Sequence, residues 1–129
     1  MKIYEHPYYG VKKNPNEQVL SFYWNEAHSE MSYEDFKEAC CNYAGYAFEY
    51  QAKRLLIDTS NFQFQMPADF EQWRDDHHYP RLWKLGVEKM AFLMPESVMA
   101  FVEDKAAEFG KFPVRYFVQE GEAMEWLGE

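Results

Sequence analysis

The sequence predicts an α/β domain in the order ββαβαβαβα: a mixed, mostly parallel five-stranded sheet with helices packed on it. Two observations carry this. The spacing of apolar residues switches repeatedly between a two-residue and a near-four-residue rhythm along the chain. In addition, the runs at 54–58 and 89–94 are short and almost continuously apolar, the pattern of strands covered on both faces.

Residues 8–13 and 18–24 are β-rich, and the turn-forming cluster Asn14-Pro15-Asn16-Glu17 between them predicts an antiparallel hairpin. Leu20, Phe22 and Trp24 then share one face of the second run. Ser32 opens a helix, with Asp35 three residues on in a close relative of the capping box. Phe36, Ala39, Cys40, Tyr43, Ala47 and Tyr50 recur at helical spacing, which carries that helix to about residue 50. After the strand at 54–58, a second helix is expected to start near Pro67, with Phe70 and Trp73 one turn apart.

Residues 80–86 read as a separate helical turn that points Leu82 and Leu85 inward and stops at Gly86. Following the strand at 89–94, Pro95-Glu96-Ser97 leads into a helix with Val98, Phe101, Val102, Ala106 and Phe109 on one stripe, ended by Gly110. The last strand is expected at 114–118. The closing helix at 120–127 turns Ala123, Met124 and Leu127 toward the sheet and leaves Trp126 partly exposed. Strand–helix–strand units in succession require parallel pairing with right-handed crossovers, so four strands run parallel and the first pairs antiparallel; their spatial order is left open.

A chain of 129 residues, 47% hydrophobic and 19% aromatic, suits a single domain over 1–129 with one core. The net charge of -9 and the scattered basic residues argue against nucleic acid and against an anionic bilayer surface. The start lacks the apolar stretch of a secretory signal, and nothing approaches the roughly eighteen-residue run of a membrane span, so a cytoplasmic location is expected. Adjacent Cys40 and Cys41 cannot close an unstrained disulfide on a helix, which fits a reducing compartment. The six glycines form neither a dinucleotide-binding nor a Walker pattern, and no cofactor is expected.

Taken together, this order with Leu55-Leu-Ile-Asp58, Trp73, Leu85-Gly86-Val87, Met90-Ala-Phe-Leu-Met-Pro95 and Glu122-Ala-Met-Glu-Trp-Leu127 resembles the STAS domain, the anti-sigma-factor-antagonist fold. More narrowly it is similar to small stand-alone STAS-like proteins of bacteria, some of them grouped loosely with lipid-binding CRAL-TRIO domains. The resemblance spans nearly the whole chain and implies a non-enzymatic binding or regulatory module in bacterial signalling. Regulatory members carry a phosphorylatable serine in an Asp-Ser-Ser-Gly-like motif at the start of the helix after the third strand. Here Met66-Pro67-Ala68 stands in that place, so the resemblance does not extend to the phospho-switch. Thr59 and Ser60 lie earlier in the loop, where a turn or cap role is the commoner one.

Ligands of open α/β sheets gather beyond the carboxyl ends of parallel strands, which points to residues 25–28, 58–61, 95–97 and 119–120. Asp58 ends a buried strand; such a carboxylate takes a ligand hydroxyl or, more often, accepts N–H groups of its own loop. Ser97 suits an N-cap better than an anion site. His77 and His78 beside Asp75 and Asp76 have poor metal spacing, because neighbouring helix positions diverge by about 100°. Phe62, Phe64 and Met66 alternate, with Trp73, Tyr79 and Trp83 following; they form either a flap on the domain's own core or an apolar groove or interface.

The expectation is therefore a binding module with no catalytic residue and no metal. Its contact residues are Asp58, Thr59, Ser60, Asn61, Phe62, Phe64, Met66, Trp73, Trp83 and Ser97. A protein partner or a second copy in a homodimer is the first choice of occupant. A small apolar, lipid-like ligand is the second, and an enzyme using Asp58 the last.

Overall fold

A computed structural model describes residues 1–14, 18–99 and 112–129. The strands are β1 (Lys2–Glu5), β2 (Tyr9–Lys13), β3 (Val19–Trp24), β4 (Arg54–Asp58), β5 (Lys89–Leu93) and β6 (Val114–Phe117). The helices are α1 (Tyr33–Glu49), α2 (Phe70–Trp73), α3 (Tyr79–Lys84), α4 (Glu96–Met99) and α5 (Glu120–Gly128). The strands form one six-stranded sheet in simple sequential order, antiparallel from β1 to β3 and parallel from β3 to β6.

Six strands replace the five expected, because β1 precedes the predicted hairpin. Only Ile3 and Tyr4 are half-buried in it, and its register slips between Lys2 and Tyr4, so an edge strand of this kind writes almost no alternation into the sequence. The turn after it closes with the His6 N–H donating to the Tyr9 carbonyl at 2.8 Å. Ser32 and Asp35 form a full reciprocal capping box, at 3.1 and 3.0 Å, and α1 follows as its apolar spacing requires.

A sheet that grows in one direction through right-handed crossovers carries its crossover helices on one face. Accordingly, Phe36, Tyr43 and Ala47 of α1 and Leu82 of α3 share a core with Leu20, Phe22, Leu55, Met90 and Val114. Among the described residues only α5 covers the opposite face, packing Ala123, Trp126 and Leu127 on Val19, Leu56, Ala91 and Leu93. Cations hold its carboxyl end: Lys89 Nζ donates to the Trp126 and Glu129 carbonyls at 2.9 and 3.1 Å, and Arg54 Nη1 donates to Leu127 O at 2.5 Å. Trp126 is thereby only 8% exposed rather than partly exposed, with Lys89 over its ring and Phe117 beside it.

The two helical pieces expected around 67–86 are one continuous run. Its first helical residue is Phe70, since Pro67 forms the preceding turn by accepting the Phe70 N–H at 3.1 Å. A π-turn, Arg74–His78, joins α2 to α3, and Pro80 follows within the first turn of α3. Proline lacks an N–H and crowds the carbonyl four residues back, and the wider π-turn accommodates both defects without breaking the helix. Gly86 ends the run at φ +95°, as its place predicts. Beyond Met99, the expected stripe from Phe101 to Phe109 and the stop at Gly110 lie outside the described residues, as does the turn at 15–17.

Candidate functional site

The helix-covered face of the sheet does not close completely against its helices. A cavity of about 340 Å³ remains between the sheet, α1, the α2–α3 run and the loop after β4. Phe22, Ile57, Met90, Phe92 and Tyr116 contribute its floor, one or more from each parallel strand. Phe36, Cys40 and Tyr43 of α1 and Phe70, Arg74, His78 and Tyr79 of the second helical run enclose it. Trp24, Thr59, Met94 and Pro95 place it at the carboxyl ends of β3, β4 and β5, where the crossover geometry of an open sheet leaves a crevice.

The loop at 59–69 forms one wall because its alternation works as in a strand: Phe62, Phe64 and Met66 turn inward, while Asn61, Gln63 and Gln65 are exposed. Phe62 packs on Trp24 with ring centroids 5.0 Å apart and stacks on His28 at 5.4 Å; Phe64 stacks on Phe36 at 5.6 Å. Phe62, Phe64 and Met66 thus pack as a flap on the domain's own core, and Phe62 and Met66 also line the apolar cavity beneath it.

His28, expected only as the end of the strand-end stretch 25–28 and given no role of its own, anchors that flap. It is 2% exposed, pairs through Nδ1 with the Asn25 carbonyl at 2.7 Å, and accepts the Gln63 N–H at Nε2 at 2.8 Å. Its only advance signal was a position just past a strand end, in a segment with no apolar rhythm. Further ties come from Asn61 Nδ2 to Trp24 O at 3.2 Å and from Thr59, whose N–H and hydroxyl both donate to Leu93 O at 2.9 and 2.6 Å.

Asp58 accepts the N–H of Ser60 at 3.0 Å and also its hydroxyl, so its carboxylate serves its own turn. Of the ten residues singled out in the sequence, Thr59, Phe62 and Met66 line the cavity and Phe64 packs behind its wall. Trp73 stacks on His78 outside the lining, and Trp83 is 46% exposed. Ser97 is exposed and lies within α4 rather than capping it, since the helix begins one residue earlier.

Few polar groups face the cavity. Arg74 is the one formally charged side chain among the described lining residues; its guanidinium lies over the Tyr79 ring at 5.3 Å, and its Nε meets Asp75 Oδ1 at 3.0 Å. His78 is held uncharged, its pKa lowered to about 4 by burial and then by the positive charges of Arg81 and Arg74. Burial pushes the Cys40 thiol and the Tyr79 phenol upward, so both keep their protons at neutral pH. Among the described residues no group of three or more His, Cys, Asp or Glu is placed to hold a metal ion.

The SpoIIAA-like family matches residues 21–128, from β3 through α5 and so across every described lining residue. The chain belongs to the SpoIIAA-like family. Its STAS-like fold is thus a mostly parallel sheet of six strands with an added β1–β2 edge that lies outside the match, and its function is that of a STAS-type regulatory or binding module. No curated protein and no solved structure matches the SpoIIAA-like chain. No helix among the described residues is long and apolar enough to cross a membrane.

Proposed function

We propose that this SpoIIAA-like domain is a non-enzymatic binding module whose occupant is a small apolar ligand held in the cavity at the strand ends. One observation carries the reading: a cavity of about 340 Å³ lined almost wholly by aromatic, methionine and aliphatic side chains. Ligand sites take this form, a mainly apolar hollow with a few converging polar groups. Water in such a hollow finds few partners, so a ligand that displaces it loses little hydrogen bonding. Where the STAS resemblance leads one to expect a phosphorylatable serine, Met66 turns into the cavity wall, which suits an occupied pocket better than a phospho-switch.

Methyl resonances of methionine test this directly. Met66, Met90 and Met94 line the cavity, whereas Met1 and Met124 lie away from it. Titration of [methyl-13C]methionine-labelled protein with decan-1-ol should move the first three signals saturably and leave Met1 and Met124 in place. Uniform small shifts, or none, would remove the ligand reading.

Protein docking is the second reading, and Trp83, 46% exposed on α3, is the observation that favours it. The apolar side chains at 62, 64 and 66 are spent on the domain's own core, so such a contact would centre on Trp83 rather than on the flap. Native mass spectrometry separates the two: a dimer mass supports docking between copies, and an adduct of a few hundred daltons supports the ligand.

A further inference from the structure

We propose that His28 is a proton-operated latch: uptake of one proton at its Nε2 releases residues 62–66 from the core and uncovers the cavity at the strand ends. The consequence for a ligand rests on the reading above; the latch itself rests on the hydrogen bonds of one ring. Nδ1 meets the Asn25 carbonyl at 2.7 Å, and a carbonyl only accepts, so Nδ1 carries the hydrogen. Nε2 receives the Gln63 N–H at 2.8 Å, so Nε2 presents its lone pair. Both contacts are met together by the neutral ring alone. A proton taken from solvent occupies that lone pair and turns two donors toward each other. The imidazolium keeps its bond to Asn25 O, and Gln63 loses its acceptor.

Little else holds the middle of the flap. Among the described residues, the Gln63–His28 bond is the one hydrogen bond that joins residues 62–66 to anything outside their own loop. Thr59 donates twice to Leu93 O on one side, and Pro67 accepts the Phe70 N–H on the other, so both ends stay fixed when the middle lifts. The buried ring lies between Trp24 at 5.7 Å and Phe62 at 5.4 Å, where a charge finds no water until Phe62 moves out. Among the described residues no charged side chain forms an ion pair with it. Glu26 and Glu30 on its own turn and Asp69 at the far end of the flap are exposed. Asp58 and Asp35 accept from Ser60 and Ser32, and Lys37 of α1 is paired with Glu34. Because Phe62 and Met66 line the cavity, their departure removes part of its wall.

An NMR titration of the full chain from pH 7.5 to pH 5, with 15N and [methyl-13C]methionine labels, tests the latch without a ligand. In the folded protein the Gln63 amide and the Met66 methyl should follow one single-proton curve. The Met66 signal should move toward that of exposed Met1 while Met124 stays in place. Histidine ordinarily charges near pH 6.5, so the Gln63 amide should lose at least about tenfold of its protection against exchange by pH 5. His28→Gln offers the same acceptor and donor without titrating, and should hold signals and protection constant. Static Gln63 and Met66 signals in the unmodified protein, or the same movement in His28→Gln, would overturn the latch. If His28→Gln fails to fold by circular dichroism, the His28 ring protons of the unmodified protein decide: a midpoint different from that of Gln63 would overturn it. Decan-1-ol titrations at both pH values separate this proposal from the ligand reading. Weaker binding at pH 5 supports the uncovered cavity, and equal binding despite a released flap overturns that step. Binding at neither pH overturns the ligand reading and leaves the latch standing.

Discussion

Single side chains at this site act mostly by what burial does to them, and His78 is the clearest case. Its folded-state pKa of about 4 lies below the ordinary 6.5. As pH falls through 6.5 the unfolded chain takes up a proton that the folded chain refuses, so folding loses stability between those two values and no more below 4. His78→Phe removes this proton linkage. Urea unfolding at pH 7 and pH 5 should show a stability loss smaller in the variant by about 1–2 kcal/mol; an equal loss would mean that His78 titrates normally. His28 belongs to the same scale. With Asn25 O on one ring nitrogen and the Gln63 N–H on the other, His28→Ala should cost about 1–3 kcal/mol and loosen the flap, read as faster amide exchange at Gln63. Neither role was legible in the sequence, because a histidine's neighbours across the fold leave no periodic trace. The role of Asp58 was legible, since an aspartate two residues before a serine in a turn has an acceptor's task close at hand.

At the level of elements, legibility followed the strength of local rules. α1 could be bounded at both ends because Ser32 and Asp35 cap it and apolar residues keep its rhythm. The run from α2 to α3 read as two pieces because Pro80 ordinarily breaks a helix, and no sequence rule announces the π-turn that absorbs it. β1 was missed for want of burial, and the enclosure of Trp126 was missed because it comes from Lys89, Arg54 and Arg115 on other strands. The cap of α1 carries a quantitative expectation: Ser32→Ala should lower stability by about 1 kcal/mol, measured by denaturant unfolding, with the cavity unchanged. A loss above about 3 kcal/mol would mean that Ser32 does more than cap.

Across the whole molecule the sequential strand order separates two jobs. The helix α1 and the α2–α3 run lie on one face, where the cavity and the candidate ligand contacts are, while among the described residues α5 closes the other with a layer built on Leu56, Ala91, Leu93 and Leu127. This division decides how mutations propagate, because distant sites without shared partners add independently. Leu56 is 1% exposed and turns toward α5, so Leu56→Ala should destabilise the domain by about 2–5 kcal/mol. It should leave the affinity for decan-1-ol within about twofold, since no atom of the α5 layer lines the cavity. Conversely, decan-1-ol at a hundred times its Kd should stabilise both the unmodified and the Leu56→Ala protein by the same amount, about 2.7 kcal/mol, seen as parallel shifts of the urea midpoint. An affinity that fell tenfold in Leu56→Ala would mean that the two faces are coupled through the sheet. The cavity would then have to be treated as a property of the entire sandwich of helices and strands rather than of its helix-covered face.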